Sequence, residues 1–397
     1  MEIEFETMKF IKVTLISMFV SLFIGGGVAA ALFVLHNKNN LVATMYEFDS
    51  GFIEVKEPLV YEEVYILEYE EEQEEELEEI PEEEPEDLSC PYTVTILLSA
   101  AGDTTLGGDS RWAGYRNFMR EFENSGNDHS HFLSNVAHIF YESDLVIVNL
   151  EGALTDLTEP HIDKEFVFRG PSHFAQILSA GYVDAVSLAN NHTQDFFLCG
   201  YNDTRDALTD AGVAYFGNEF NRIIEINGIT VGLFGHRVWG DWRENRDRIT
   251  AAINYLENQG AQLIIAYFHW GVEGENFPEQ YQINIGRFTI RQGADLVLGA
   301  HPHVIQGMEE YNGRYIVYSL ANFCFGGNSA PPDQDSFIFQ QEFTFYRGVL
   351  QPENEINIIP IRVSSVRYRN DFRPTPAEDD VAERILARIE RYSESLR

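Results

Sequence analysis

The apolar and polar positions of this chain fall into three regimes. Val13 to Leu35 (VTLISMFVSLFIGGGVAAALFVL) is an apolar run of 23 residues without a charge. That length suits a helix crossing a bilayer core. His36 to Ser89 loses the pattern, and its second half, YEEEQEEELEEIPEEEPEDL, is almost wholly acidic. Glutamates at this density repel one another and bury nothing, so the segment is expected to be an extended, disordered linker. Beyond Cys90, short β-branched runs alternate with stretches of helical period. Strands are expected at Thr93–Ala100, Asp144–Leu150, Val183–Ala189, Leu263–Phe268, Asp295–Gly299, Tyr315–Leu320, Phe337–Phe345 and Ile356–Val363. Helices are expected over Phe132–Tyr141, Ser172–Ala180, Asn245–Gln259, Gln280–Gln292 and Ala377–Tyr392, with a hairpin from Ile223 to Phe234 about Asn227-Gly228. The alternation predicts an α/β fold, and no internal repeat is visible.

Charge sharpens the outer regimes. The 397 residues carry a net charge of −37, which argues against nucleic acid as a partner. Nearly half of that charge lies in the linker. At roughly 5–6 Å × √n its ~50 residues would hold a domain about 40 Å from a membrane surface. Lys9 and Lys12 precede the apolar run and Lys38 follows it, favouring a cytoplasmic N-terminus and an exported remainder. Val28-Ala29-Ala30-Ala31 would suit a signal-peptide cleavage site, but the run continues to Leu35, which favours an uncleaved anchor. The expected organisation is a cytoplasmic tail (1–12), a transmembrane anchor (13–35), an acidic linker (36–89), a folded domain (90–365) and a C-terminal helix packed on it (366–397). Such a chain would be a single-pass protein of the cell membrane with its C-terminal domain extracytoplasmic.

Five of the expected strands run into metal-ligating residues. They present Asp103 in GDTTLGGD, Glu151 in NLEG, Asn191-His192 in ANNHTQD, His269 in FHWG, and His301 and His303 in AHPHV. Singly, a turn aspartate, an Asx-turn or a buried histidine pair would explain each. Together they form a pattern, because open α/β sheets gather residues at the carboxyl ends of their strands. Carboxylates, an amide oxygen and imidazoles make a mixed oxygen and nitrogen set for one or two divalent ions such as Mn²⁺, Fe²⁺ or Zn²⁺. No thiolate joins them, which argues against a structural zinc site.

The same motifs, with DLVIVNLEGALT, FHWGVEGENFPEQYQ and GADLVLGAHPHVIQGMEEYNGRYIVYSLANFCFG, resemble the CapA family of poly-γ-glutamate (capsule) biosynthesis proteins, within the calcineurin-like metallophosphatase superfamily. The resemblance covers roughly Thr93 to Val363. It implies a four-layer α/β/β/α sandwich with the metal site on loops at the sheet edges. It also implies that Asp103 and His303 hold one ion, that Glu151 bridges, and that Asn191, His269 and His301 hold the second. His192 would be the general acid, with Asp195 orienting it. Thr105 stands where the superfamily's D-x-H motif has histidine, and Glu151 stands for its bridging aspartate. Both departures leave the first ion with fewer obvious ligands, for which Asn149 or Asp109 could substitute. Implied partners are the bilayer, poly-γ-glutamate synthase subunits, and an anionic polymer or phosphoester substrate.

Two functions of different class follow. One is a membrane-anchored accessory protein of capsule polymer synthesis; the other is a metal-dependent phosphoesterase or γ-glutamyl polymer hydrolase or transferase. Cys199 and Cys324 follow site motifs, and a bridge between them is a further expectation in an exported domain. His236 ends a strand near the same edge. Arg169 and Arg237 offer forked donors for a phosphate or carboxylate.

Overall fold

The computed structural model describes residues 20–24, 28–37, 40–49, 52–55, 59–60, 92–160 and 164–396. The chain divides into two compact units, Met1–Glu84 and Pro85–Arg397.

In the first unit, Val20–Ile24, Val28–Asn37, Asn40–Asp49 and Phe52–Val55 form an antiparallel sheet in that order, and Leu59–Val60 also pairs with Asn40–Asp49. Strands thus stand at residues 20–24 and 28–35 of the run expected to be a helix, and within the first part of the linker that was expected to be disordered. The sequence offers reasons for both departures. Gly25-Gly26-Gly27 weakens any helix that would pass through it. LVATMYEF is rich in β-branched and aromatic residues. Among the described residues, no helix is long and apolar enough to cross a membrane. The expected tail, residues 13–19 of the expected span and the glutamate-rich half of the linker lie outside the described residues.

The second unit is α/β. Its larger sheet runs Ala214–Phe216, Ala185–Ser187, Leu145–Leu150, Thr93–Thr105, Asp335–Tyr346, Val349–Arg362 and Thr375–Pro376, with Asn322–Phe325 also on Thr93–Thr105. The other runs Arg222–Ile226, Ile229–Val238, Leu263–Trp270, Leu296–Ala300, Arg314–Val317 and Met308–Tyr311. Central strands of each are parallel, so their carboxyl ends share an edge.

Side chains alternating along the strands separate the layers. Leu145 and Ile147 turn inward with Ile96 and Leu98 to meet Leu233, Ile265 and Leu298 of the other sheet. Val146 and Val148 turn outward onto Phe118, Phe174 and Leu178. On the opposite outer face, Ile264 and Phe268 pack with Ile253, Leu256 and Ile285. Helices therefore cover both outer faces of two facing sheets. The C-terminal helix Asp379–Glu394 puts Ile385, Ile389 and Tyr392 into the cluster between the sheets.

Two local features set up the edge. The strand expected to end at Ala100 continues to Thr105, with a register shift against Leu145–Leu150 between Ala101 and Asp103. Gly102 makes the shift feasible, because a Cβ there would sit 1.9 Å from the Ala321 carbonyl oxygen. The Asp103 N–H donates to that same oxygen at 2.9 Å.

The expected disulfide is absent. Cys199 is exposed on the helix Phe197–Asp210, whereas Cys324 is buried and donates to the Phe372 carbonyl at 3.2 Å; both are free thiols. Cys324 packs within the outer helical layer, and Cys199 lies on the solvent side of its own helix.

Candidate metal centre

Asp103 lies within its strand and Glu151 directly follows the neighbouring parallel strand Leu145–Leu150; both side chains are fully buried. Asn149 fixes the first of them. Its amide donates to Asp103 Oδ1 at 2.8 Å and lies 3.4 Å from His269 Nδ1. Asn190 in turn donates to Asn149 Oδ1 at 3.1 Å, which sets the orientation of that amide. Thr105 donates its hydroxyl to the Glu151 carbonyl at 2.9 Å, so it supports the backbone of the carboxylate rather than a ligand position.

From the other sheet, His269 lies within its strand, paired in register with Ala300 and Arg237. His301 and His303 follow the next strand, at φ of 96° and 58°. Non-glycine residues in such conformations cost of order 1–3 kcal/mol each, and such strain clusters at functional sites. Polar contacts hold the turn: the His301 N–H donates to Asp103 Oδ2 at 3.2 Å, and the Asn322 amide donates to the His303 carbonyl at 3.1 Å.

The side chains converge from both sheets. His303 Nδ1 is 3.0 Å from Asp103 Oδ2 and 3.9 Å from Glu151 Oε2. His269 Nε2 is 3.5 Å from Glu151 Oε1 and 2.7 Å from Asn191 Oδ1. Three groups of potential ligands result: Asp103, Glu151 and His303; Glu151, His269 and His301; and Glu273, His301 and His303. Glu151 belongs to the first two, and among the described residues neither of its oxygens has a hydrogen-bond partner; His301 Nδ1 also lacks one. Buried carboxylate oxygens are ordinarily paired, so these orphans fit a divalent cation.

Titration behaviour points the same way. Burial and then the charge of Asp103 push Glu151 well above the usual carboxylate range. His303 is driven up to about 10: burial opposes its charge, but Glu151 and Asp103 outweigh it. Burial and neighbouring histidines hold His269 well below its usual value, and burial with His303 brings His301 down to about 4. The metal-free cluster thus favours protons within the Glu151–His303 pair over protons on His269 and His301. A cation must displace those protons to reach the same lone pairs. Mn²⁺ uptake is therefore expected to release protons and to tighten as pH rises, by about tenfold per pH unit for each proton displaced. Calorimetric titration at several pH values, in buffers of different ionisation enthalpy, measures both.

The remaining expected residues adjoin the cluster. His192 is buried, stacks on Phe168 with ring centroids 4.2 Å apart, and places Nε2 4.0 Å from Glu151 Oε1. Its Nδ1 is 2.6 Å from Asp195 Oδ2. Asp195 also accepts from Lys164 Nζ at 2.5 Å and from the Phe168 N–H at 2.6 Å. A cleft of about 400 Å³ opens beside His192 and His303, walled by Phe166, Phe168 and Phe325.

Asp109 and Arg169 are engaged elsewhere. Asp109 binds Arg111 and the Val167 N–H, and Arg169 donates to the Thr155 carbonyl. His236 packs beside Phe234 and contacts Arg248. Sequence reasoning passed over Glu273, Asn322 and Lys164. Glu273 in FHWGVEG and Asn322 in LANFCF each lie just past an expected strand, whereas nothing local distinguishes Lys164.

The sequence pattern described as "Bacterial capsule synthesis protein PGA_cap" matches residues 97–327. The chain belongs to that family. The family match ends two residues beyond Phe325 and includes every residue of the cluster. Among relatives, the PGA biosynthesis protein CapA of Bacillus subtilis is 29% identical over 210 residues, covering 48% of this chain and 55% of that protein. The capsule biosynthesis protein CapA of Bacillus anthracis is 29% identical over 171 residues, 38% of this chain and 41% of that one. A probable polyglutamine synthesis accessory protein of Mycobacterium tuberculosis is 23% identical over 288 residues, 63% of this chain and 73% of that one. The matched region thus spans about half the length of the two Bacillus relatives.

Proposed function

We propose that this family member acts in poly-γ-glutamate (capsule) biosynthesis as an extracytoplasmic accessory protein with a metallophosphatase-type centre for two divalent ions. Names of the relatives support the process: PGA biosynthesis, capsule biosynthesis and polyglutamine synthesis accessory protein. The observation that carries the metal centre is Glu151, a buried carboxylate without hydrogen-bond partners, shared by two ligand groups. In this proposal Asp103, Glu151 and His303 hold one ion, and Glu151, Asn191, His269 and His301 hold the other. Helices on both outer faces of two sheets suit the four-layer sandwich of that superfamily. Bound ions would supply Lewis-acid stabilisation of charge on a phosphoryl or acyl oxygen. The chain's own contribution is to orient His192 through Asp195 and to offer an apolar-walled cleft beside it. Synthase subunits are the proposed partners.

Tethering through the apolar run Val13–Leu35 is part of the proposal and rests on the composition of that run. Retention of the full-length chain in carbonate-washed membranes, with its C-terminal domain accessible from outside, checks the tether. Metal analysis after Mn²⁺ loading tests the centre: about two ions per chain are expected, and His301→Ala is expected to lose about one. Wild type without bound metal would remove the centre from the proposal.

A second reading, catalysis on a phosphodiester or γ-glutamyl bond, is favoured by one observation. His192, Asp195 and Lys164 form a connected set ending at the cluster, as a proton donor and its support would.

A further inference from the structure

A second cleft, of about 810 Å³, includes Asn191 in its lining and so reaches the cluster. Its charged residues are Lys164, Arg237 and Arg248, against Glu219 alone. That balance is unusual in a chain with 64 acidic and 27 basic residues.

The three cations are not equivalent. Lys164 is committed to Asp195 and the Asn191 carbonyl. Arg248 lies 3.1 Å from His236 Nδ1, and burial followed by the Arg248 charge brings that imidazole down to about 3. A neutral histidine accepts the hydrogen bond but leaves the guanidinium charge uncompensated. Arg237 lines the cleft; desolvation and then the nearby Arg248 lower it, and the Glu219 charge opposes them. Among the described residues, neither guanidinium has a carboxylate within ion-pair distance, although the protein has carboxylates in excess. Glu219 is the one acidic group lining the cleft and forms an ion pair with neither, so the two guanidinium charges are only partly offset, and an anion between them would relieve the repulsion.

Their placement links the cleft to the centre. Arg237 pairs in register with His269 on the adjacent parallel strand, and His269 meets both Glu151 and Asn191. Trp239, two residues on, sets its ring against His301 with centroids 4.7 Å apart. One strand end therefore supplies a cation and an aromatic wall to the edge of the cluster.

We propose that this cleft is an anion subsite in which Arg237 and Arg248 take a carboxylate or phosphate of the same substrate whose reacting group lies at the cluster. The proposal rests on the polyanion reading given above and narrows it. A γ-linked glutamate chain carries a free carboxylate on every residue, so a residue at the cluster brings a second anion beside it. A phosphate-bearing substrate would present the same chemistry with a different oxyanion.

The test is calorimetric titration of the full-length chain with γ-linked pentaglutamate and, separately, with inorganic phosphate. Wild type, Arg237→Gln, Arg248→Lys and the control Arg222→Gln, an exposed arginine that does not line the cleft, are compared, with the metal content of each preparation measured. At least one probe is expected to bind wild type, and Arg237→Gln is expected to weaken it by about tenfold or more through loss of charge-assisted hydrogen bonds. Arg248→Lys keeps the charge, removes the fork and is expected to weaken binding less. Arg222→Gln and the metal contents should be unchanged. Pentaglutamate binding that is lost in Arg237→Gln assigns the subsite to carboxylate; phosphate binding lost in the same variant assigns it to phosphate. Either result supports the subsite. If wild type binds neither probe, or Arg237→Gln binds as wild type does, the subsite is overturned. Anion binding without metal would remove the metal centre and leave the subsite; metal without anion binding would do the reverse.

Discussion

Replacing Glu151 with glutamine is expected to abolish metal loading altogether, the largest loss of any single exchange in the cluster. Glu151 is the one residue shared by the group with Asp103 and the group with His269, and both of its oxygens lack other partners. An amide of the same shape would offer one weak oxygen donor and turn an N–H toward the cation. Content should fall from about two ions per chain to a small fraction of one. Folding need not suffer. In the metal-free state, burial and Asp103 already favour the protonated side chain, so a neutral isostere removes a buried ionisable group without leaving a charge unpaired. The metal-free variant should therefore melt at or above metal-free wild type. Mn²⁺ should stabilise wild type by about 2.7 kcal/mol for each site at a hundredfold excess over Kd, and leave the variant unmoved. Thermal denaturation with and without Mn²⁺, together with elemental analysis, decides the matter; wild-type metal content in Glu151→Gln would sink the bridging role.

The contrast between Glu151 and Lys164 shows what could be read from the sequence. Glu151, Asn191, His301 and His303 each follow a buried β-branched run, and strand ends at one sheet edge converge whatever the loops between them do. The helix Gln280–Gln292 was legible to the residue, since apolar spacing, a capping box at Glu279 and Gln282, and Gly293 at φ 121° agree on its limits. Asp103 and His269 were visible as candidates, yet their places inside strands were not. The extension of Thr93–Thr105 depends on Ala321, 218 positions from Asp103 in the chain, approaching Gly102. Contacts of that range leave no local periodicity. Lys164 lies in a loop and meets the site only through the packing of other segments. Cysteine positions misled for the same reason: proximity to site motifs along the chain says nothing about which face of a helix or strand a thiol occupies.

His192→Ala is expected to separate metal binding from turnover. The imidazole is not a member of either ligand group that contains Glu151, so the variant should load Mn²⁺ as wild type does. Its place is that of a proton donor. Asp195, which accepts from Lys164 and the Phe168 N–H, holds the His192 Nδ1–H and leaves Nε2 directed toward Glu151 at 4.0 Å. Stacking on Phe168 fixes the ring plane. Removing a positioned general acid costs about 10²–10⁴ in rate, and the loss should shrink for substrates whose leaving group needs no proton. Hydrolysis of a nitrophenyl phosphodiester and of an alkyl phosphodiester, compared in wild type and His192→Ala, reads that difference directly. Asp195→Asn should give a smaller loss of the same kind with metal intact, because it acts on the reacting group only through His192. A variant that loses its metal would instead make His192 a ligand. Equal loss on both substrates would make it a structural support for the cluster. Turnover unchanged by His192→Ala would remove the proton-donor role and leave the accessory function to rest on binding alone.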